Sequence, residues 1–405
     1  MLRAVSARAL ASMSLAARAA ARGPRGARAA SLGAPRALAP RLVGGAFRHA
    51  PRSRPAWVAP RRGAFSFSRA SDRRTAAATD ESAVNEVTAS SVYANPELYE
   101  LAFGFRDFDK EAAFLASLCE THGGGKLRSL LELGAGPAWH SVSCVTTQGP
   151  CVAVALDNAP AMLARAAQRA REQRCEQSVA VVEGDMTAFD VDAVKAAARV
   201  LVPLSSEDEE VSGSKPNDTF SEEDGFDLVT ILLGTAAHLT DLEDAEKCLR
   251  LASRSLKRDG LVVLELEHPF DVFDGQLMDA QGDAWDREVE DGDLKGAKVL
   301  VEWGREGDPF DVETQIVERT VGLNVVDGET GKPFASNDGA VLFAPVEEIV
   351  KCRVFTAPEI ALLGKLAGLR VVATFGDMDT SVPLTHEDAN NMVIVLKRKE
   401  DEAER

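Results

Sequence analysis

From about residue 91 onward the apolar positions of this chain fall into two alternating patterns. Predominantly apolar runs occupy 129–133, 151–156, 178–182, 226–233 and 261–266. Each is too short for a helix, and each ends in a turn or on a polar residue, as expected of strands buried on both faces. Between them, 138–147, 161–173, 191–200 and 242–256 repeat their apolar residues at helical spacing, the last with Asp241 as its cap. Five strands alternating with helices predict a parallel, doubly wound sheet. Ahead of it, Asn95-Pro96 reads as a helix start, and a second helix is expected over 109–120. After His268 the pattern changes to strand-like alternation over 297–304, 313–326 and 346–356, punctuated by Gly328, Gly331, Pro333 and Gly339. A helix capped by Thr356 (357–367) and two closing strands (369–375 and 391–397) follow. The expected fold is α/β: a mostly parallel seven-stranded sheet with an antiparallel β lid, about 270–356, inserted before the last two strands.

The strand at 129–133 runs into Gly134-Ala135-Gly136-Pro137, with Glu132 two places before the first glycine. Gly134 can adopt φ > 0, and Gly136 lets a ligand lie against the backbone. The helix that follows aims free N–H groups at whatever lies over the turn. The second strand ends on Asp157, 23 positions beyond Gly134. That is close to the roughly 20-residue offset at which an acid meets a bound ribose in a nucleotide-binding βαβ unit. Asp157 is equally a good helix N-cap, and the two roles are compatible. The third strand ends in Gly184-Asp185-Met186, where an acid can accept from an adenine amino group and a methionine can flank the ring. Leu233 and His268 also fall at strand ends. A third glycine of a dinucleotide fingerprint would fall at Trp139, whose bulk opposes pyrophosphate binding.

Charge divides the chain. Residues 1–70 hold fourteen arginines and no Asp, Glu or Lys, while the whole chain carries −17. The remainder is therefore 14 units more negative than the total, and so acidic a body repels nucleic acid and anionic membranes. Residues 1–80 read as an organelle targeting presequence and linker, mitochondrial in the first instance and plastid in the second. They contain no apolar core long enough for a secretory signal or a membrane span. The stretch 204–224 is Ser-, Glu- and Asp-rich and reads as a solvated insertion. Six scattered cysteines, with no C-x-x-C pair and no histidine at ligand spacing, give no sign of a zinc site or disulfide framework.

Leu131-Glu132-Leu133-Gly134-Ala135-Gly136, Leu156-Asp157-Asn158-Ala159-Pro160-Ala161-Met162-Leu163, Gly184-Asp185-Met186, Phe226-Asp227-Leu228-Val229 and Leu256-Lys257-Arg258-Asp259-Gly260-Leu261 occur in this order. Over 91–399 the chain resembles a class I, Rossmann-like S-adenosylmethionine-dependent methyltransferase of small-molecule type. The resemblance implies S-adenosylmethionine as methyl donor. It also implies that Glu132, Gly134, Ala135, Gly136, Asp157, Asn158, Met162, Asp185, Met186 and Leu233 line its site. For the acceptor, Tyr99, Arg106, Trp285, Trp303, Arg319 and Arg353 are candidates, though the aromatics can equally be core and the arginines solvated. Methyl transfer is an in-line displacement that depends mostly on alignment and exclusion of water. An amine or hydroxyl must also lose a proton, for which His268, His238 and then Glu267 are the candidate bases. The expected acceptor is a small metabolite. A thioether acid such as methylthio-hydroxybutyrate, S-methylated on the way to dimethylsulfoniopropionate, is one candidate from resemblance. A small amine, quinone or phenol, or a non-catalytic subunit of the same fold, are the others. Nothing in the pattern fixes an oligomeric state.

Overall fold

The computed structural model describes residues 91–204, 225–268, 284–290, 292–305, 307–336, 339–386 and 389–399. The expected presequence, nearly all of the acidic insertion at 204–224 and the opening of the lid insertion lie outside the described residues.

The main sheet has seven strands in the order β11-β12-β5-β4-β1-β2-β3. They are β1 (Ser129–Leu133), β2 (Val152–Asp157), β3 (Val179–Glu183), β4 (Phe226–Ile231), β5 (Leu256–Glu267), β11 (Leu369–Phe375) and β12 (Asn391–Arg398). The first five run parallel, and β12 lies antiparallel between β5 and β11. The order reverses between β1 and β4, so a crevice opens beyond their carboxyl ends. Period-2 alternation splits the buried side chains between two layers. Leu131, Leu133, Val229 and Ile231 enter the core on one face, and Leu130, Leu228, Val263 and Val393 enter the core on the other.

Helices close both faces: α1 (Pro96–Phe103), α2 (Phe108–Thr121), α3 (Trp139–Thr147), α4 (Pro160–Glu172), α5 (Val191–Arg199), α6 (Leu242–Ser255) and α7 (Ala357–Leu366). Their starts are local chemistry. Asp107 accepts from Lys110 N–H, Asp190 from Ala193 N–H and Asp241 from Glu243 N–H. At α7, Thr356 and Glu359 form a reciprocal capping box. Two 3-10 turns, Val92–Ala94 and Thr235–His238, were not foreseen from the pattern.

The insertion after β5 forms a second, antiparallel sheet, β10-β9-β7-β6, with β8 (Phe310–Asp311) beside β9. Its members are β6 (Ala284–Glu288), β7 (Ala297–Trp303), β9 (Ile316–Asp327) and β10 (Val346–Arg353). The inner face packs Val299, Val301, Trp303, Val321 and Leu323 against Leu98, Phe103 and Met162. The expected seven-stranded sheet and antiparallel insertion are both present. Two boundaries differ. β5 begins at Leu256, directly after α6, so 257–260 belong to the strand rather than to a turn, across a register shift opposite Phe226–Leu228. The short β6 lies where the polar Asp286, Arg287 and Glu288 hide the alternation.

Candidate functional site

The glycine loop sits at the reversal point. Gly134 has φ +64°, and a Cβ there would stand 2.3 Å from Thr235 Cγ2. Gly136 has φ +54° with nothing within 4 Å of where its Cβ would be, so space is open above the backbone. Asp157, at the end of β2, holds the loop: its Oδ2 accepts from Gly136 N–H at 2.7 Å and its Oδ1 from Ala159 N–H at 2.8 Å. Burial raises the Asp157 carboxyl above its ordinary value, against the pull of the N–H groups of Ala159, Gly136 and Asn158. Ala135 is buried and Asn158 exposed. Asp185 is exposed, and its Oδ1 takes both Thr187 N–H (2.7 Å) and Thr187 Oγ1–H (2.8 Å). Met186 is half-buried beside it. Met162 is fully buried between α4 and the second sheet, and Leu233 follows β4 with φ +55°.

Trp139 opens α3 and is stacked on Phe108 (centroids 4.8 Å apart) and on Tyr99 (5.6 Å). Arg169 lies over the same indole, bonds Pro137 O at 3.0 Å and pairs with Glu100 of α1. Tyr99 and Phe108 thus pack on the residue that opens the helix after the glycine loop.

Beneath the loop runs a buried charge network that the pattern analysis did not find. Glu132 in β1 and Glu265 in β5 project from the same sheet face. Glu132 Oε2 accepts from Ser141 N–H at 2.9 Å, standing in for the missing side-chain cap of α3, whose N-cap is Ala138. His140 Nδ1 lies 3.3 Å from Glu132 Oε1, and its Nε2 is 2.7 Å from Glu111 Oε2. Arg106 donates through Nε to Glu111 (2.6 Å) and through Nη1 to Glu265 (2.8 Å). Glu265 Oε2 also takes Leu233 N–H at 2.9 Å, fixing the turn after β4. Burial opposes charge on His140, but the bonds to Glu111 and Glu132 outweigh it and push the imidazole up to about 9. Burial likewise opposes the Glu111 anion, and Arg106 and His140 overcome it to hold the carboxyl below its ordinary value. Arg106, expected at the acceptor, is thus an internal cation between two carboxylates. The signal in the sequence was a glutamate inside each of two otherwise apolar strands, Glu132 and Glu265.

On the other side of the crevice, Tyr93 Oη is 2.9 Å from His238 Nε2. Burial pushes the His238 imidazole down to about 4, so it is neutral at pH 7, and it shares a hydrogen bond with the phenol. The Tyr93 phenol is raised by burial and further by Tyr99, Cys352, Glu348 and Asp157. Glu348 of β10 holds this segment, its Oε1 accepting from Val92 N–H at 2.7 Å. His268, the other expected base, uses Nε2 on Leu384 O at 2.7 Å. That nitrogen therefore donates its proton to a backbone carbonyl.

A narrow cleft between the Thr235–His238 turn, β5, β9 and β10 is lined by Gly234, Ala237, Glu267, Arg319, Cys352 and Arg353. The two expected acceptor arginines therefore do meet. Arg319 is ion-paired with Glu267, and Arg353 donates to Thr240 O at 3.2 Å. Trp285 and Trp303 are elsewhere: both are buried on the inner face of the second sheet, edge-on to Phe103 at 6.0 and 5.9 Å. Among the described residues no helix is long and apolar enough to cross a membrane.

No family model matches the chain, and no curated protein does. Among solved structures, an S-adenosylmethionine-dependent methyltransferase from Clostridium acetobutylicum ATCC 824 is similar over 74% of this chain and 96% of its own, with 15% identity and a TM-score of 0.51. DesVI of Streptomyces venezuelae is similar over 75% of this chain and 98% of its own, with 17% identity and a TM-score of 0.50. The fold is that of the class I methyltransferases.

Proposed function

We propose that this chain is an S-adenosylmethionine-dependent methyltransferase acting on a small metabolite. The observation that carries the reading is the open backbone at Gly136, pinned to the Asp157 carboxylate at the reversal point of the sheet. Each Asp157 oxygen accepts one backbone N–H, which leaves a lone pair on both for ribose hydroxyls. Gly134, Ala135 and Gly136 would hold the methionine part, Asp185 the adenine amino group, and Met186 the ring face. When bound, the cofactor supplies a methyl group already activated for in-line displacement. The protein's part is to align the acceptor, exclude water and take up a proton.

The Tyr93–His238 pair supports an acceptor that loses a proton, an amine or a hydroxyl such as a phenol or quinol. An acceptor that must lose a proton on methylation would pass it to Tyr93 Oη. With His238 in the tautomer whose Nε2 is unprotonated, the phenolic proton would move to that nitrogen and on to solvent, since burial disfavours the imidazolium. A second reading, S-methylation of a thioether acid such as methylthio-hydroxybutyrate, is favoured by Arg319 and Arg353 in the cleft and needs no base. Residues 1–80 would direct the enzyme to the mitochondrion, with the plastid as the alternative.

Calorimetry with S-adenosylmethionine tests the premise: the expected result is micromolar-range binding that Asp157→Ala abolishes, and a wild type giving no heat ends the reading. Release of S-adenosylhomocysteine from a panel of amines, phenols and thioethers then assigns the acceptor. Binding without turnover of any member would point to a non-catalytic subunit of this fold.

A further inference from the structure

We propose that Arg353 is the seat for an anionic group, carboxylate or phosphate, on the acceptor, whichever acceptor atom is methylated. The role in methyl transfer rests on the reading above; the anion site itself does not. The three arginines considered from the sequence differ in what already neutralises them. Arg106 has a carboxylate on each side, at 2.6 and 2.8 Å, and Arg319 is paired with Glu267. Arg353 is as buried as these, 8% exposed, but less well served. Its Nη1 meets Thr240 O at 3.2 Å, its Nη2 meets Gln315 Oε1 at 3.5 Å and Glu359 Oε1 at 3.8 Å, and its Nε has no partner.

Glu359 is not free to come closer. Its Oε2 accepts from Thr356 N–H (2.8 Å), Thr356 Oγ1–H (2.7 Å) and Gln315 Nε2–H (3.2 Å), as the capping box of α7 requires. A buried guanidinium with one orphan N–H and a carboxylate held at arm's length is left underbonded. A planar, bidentate oxyanion would satisfy it. None of the three polar contacts is short, and the guanidinium already lines the cleft, with Cζ 5.5 Å from the Phe355 ring centroid. The position also suits the chemistry. Thr240 lies two residues beyond His238, so an acceptor anchored by its acid on Arg353 would extend toward the Tyr93–His238 pair. Methyl acceptors bearing no acid would gain nothing here.

The test is thermal unfolding of the full chain with inorganic phosphate, acetate and butyrate, each against chloride at matched ionic strength, with and without S-adenosylhomocysteine. One class of anion should raise the melting temperature by about 2 °C or more at tens of millimolar. Arg353→Met should lose that shift, and Arg353→Lys, which keeps the charge and replaces the fork by a point charge, should retain part of it. Phosphate alone or the carboxylates alone identifies the class. No shift in the wild type, or an equal shift in Arg353→Met, overturns the proposal. If anions protect but S-adenosylhomocysteine does not bind, the anion site stands and the methyltransferase reading falls; the reverse result separates them the other way.

Discussion

The two loop glycines have different reasons for being glycine, and substitution should separate them. An alanine at 134 would be strained by φ +64° and would strike Thr235 at 2.3 Å. Gly134→Ala should therefore lower stability by more than about 2 kcal/mol in urea titration. Gly136→Ala meets no atom within 4 Å, so it should cost only about 1 kcal/mol of backbone strain. Its methyl would still occupy the space over the loop, and calorimetric affinity for S-adenosylmethionine should fall at least about tenfold. His140 offers a pH test. Its folded value, about 9, lies above the ordinary 6.5 of an unfolded histidine, so its contribution is whole below about pH 6.5 and fades as pH rises through 9. Unfolding free energies from urea titration should drop across that interval, by on the order of 3 kcal/mol, and His140→Gln should flatten the drop. A wild type equally stable at pH 6.5 and 9.5 would contradict it. At this scale the residues with a backbone signature were legible, the glycines and Asp157, because strand length and turn chemistry place them. Arg106 was misassigned because its two carboxylates come from Glu111 and Glu265, 5 and 159 residues away, and no local pattern pairs them.

Among the elements, the 3-10 turn carrying Tyr93 depends on a neighbour distant in the chain. Glu348 of β10 accepts from Val92 N–H and sits 3.3 Å from Ser91 Oγ. Glu348→Ala should loosen residues 91–95, seen as faster amide exchange there, and lower kcat more than it changes cofactor affinity. Thr356→Ala removes the hydroxyl of the α7 capping box and should cost about 1 kcal/mol. Regular elements were readable because apolar period and cap residues agree over several turns. The start of β5 was not, since Lys257, Arg258 and Asp259 are polar residues in the register shift between Leu256 and Leu261, opposite Phe226–Leu228. The Val92–Ala94 turn was hidden for a similar reason: a three-residue turn has no period to detect.

Across the whole molecule, the split between fourteen arginines in residues 1–70 and the acidic remainder is the basis for the address prediction. Residues 1–80 fused to a fluorescent protein should enter mitochondria, and a diffuse signal would remove the expectation. The mostly parallel seven-stranded sheet and the antiparallel insertion were legible because five buried strands alternating with helices admit few arrangements. The inner architecture of the insertion was less so, for antiparallel register is fixed by side-chain pairing across strands rather than by local pattern. That insertion is a single stretch of chain, entering after β5 and leaving before α7, while the glycine loop, Asp157 and Asp185 all lie upstream of it. On the proposed reading, the arginines that would hold an acidic acceptor, Arg319 and Arg353, and the residues that would hold the donor are thereby encoded in separate lengths of gene. A lineage could exchange the one by recombination and keep the other, provided the segment around Ser91 that Glu348 grips travelled with its new partner.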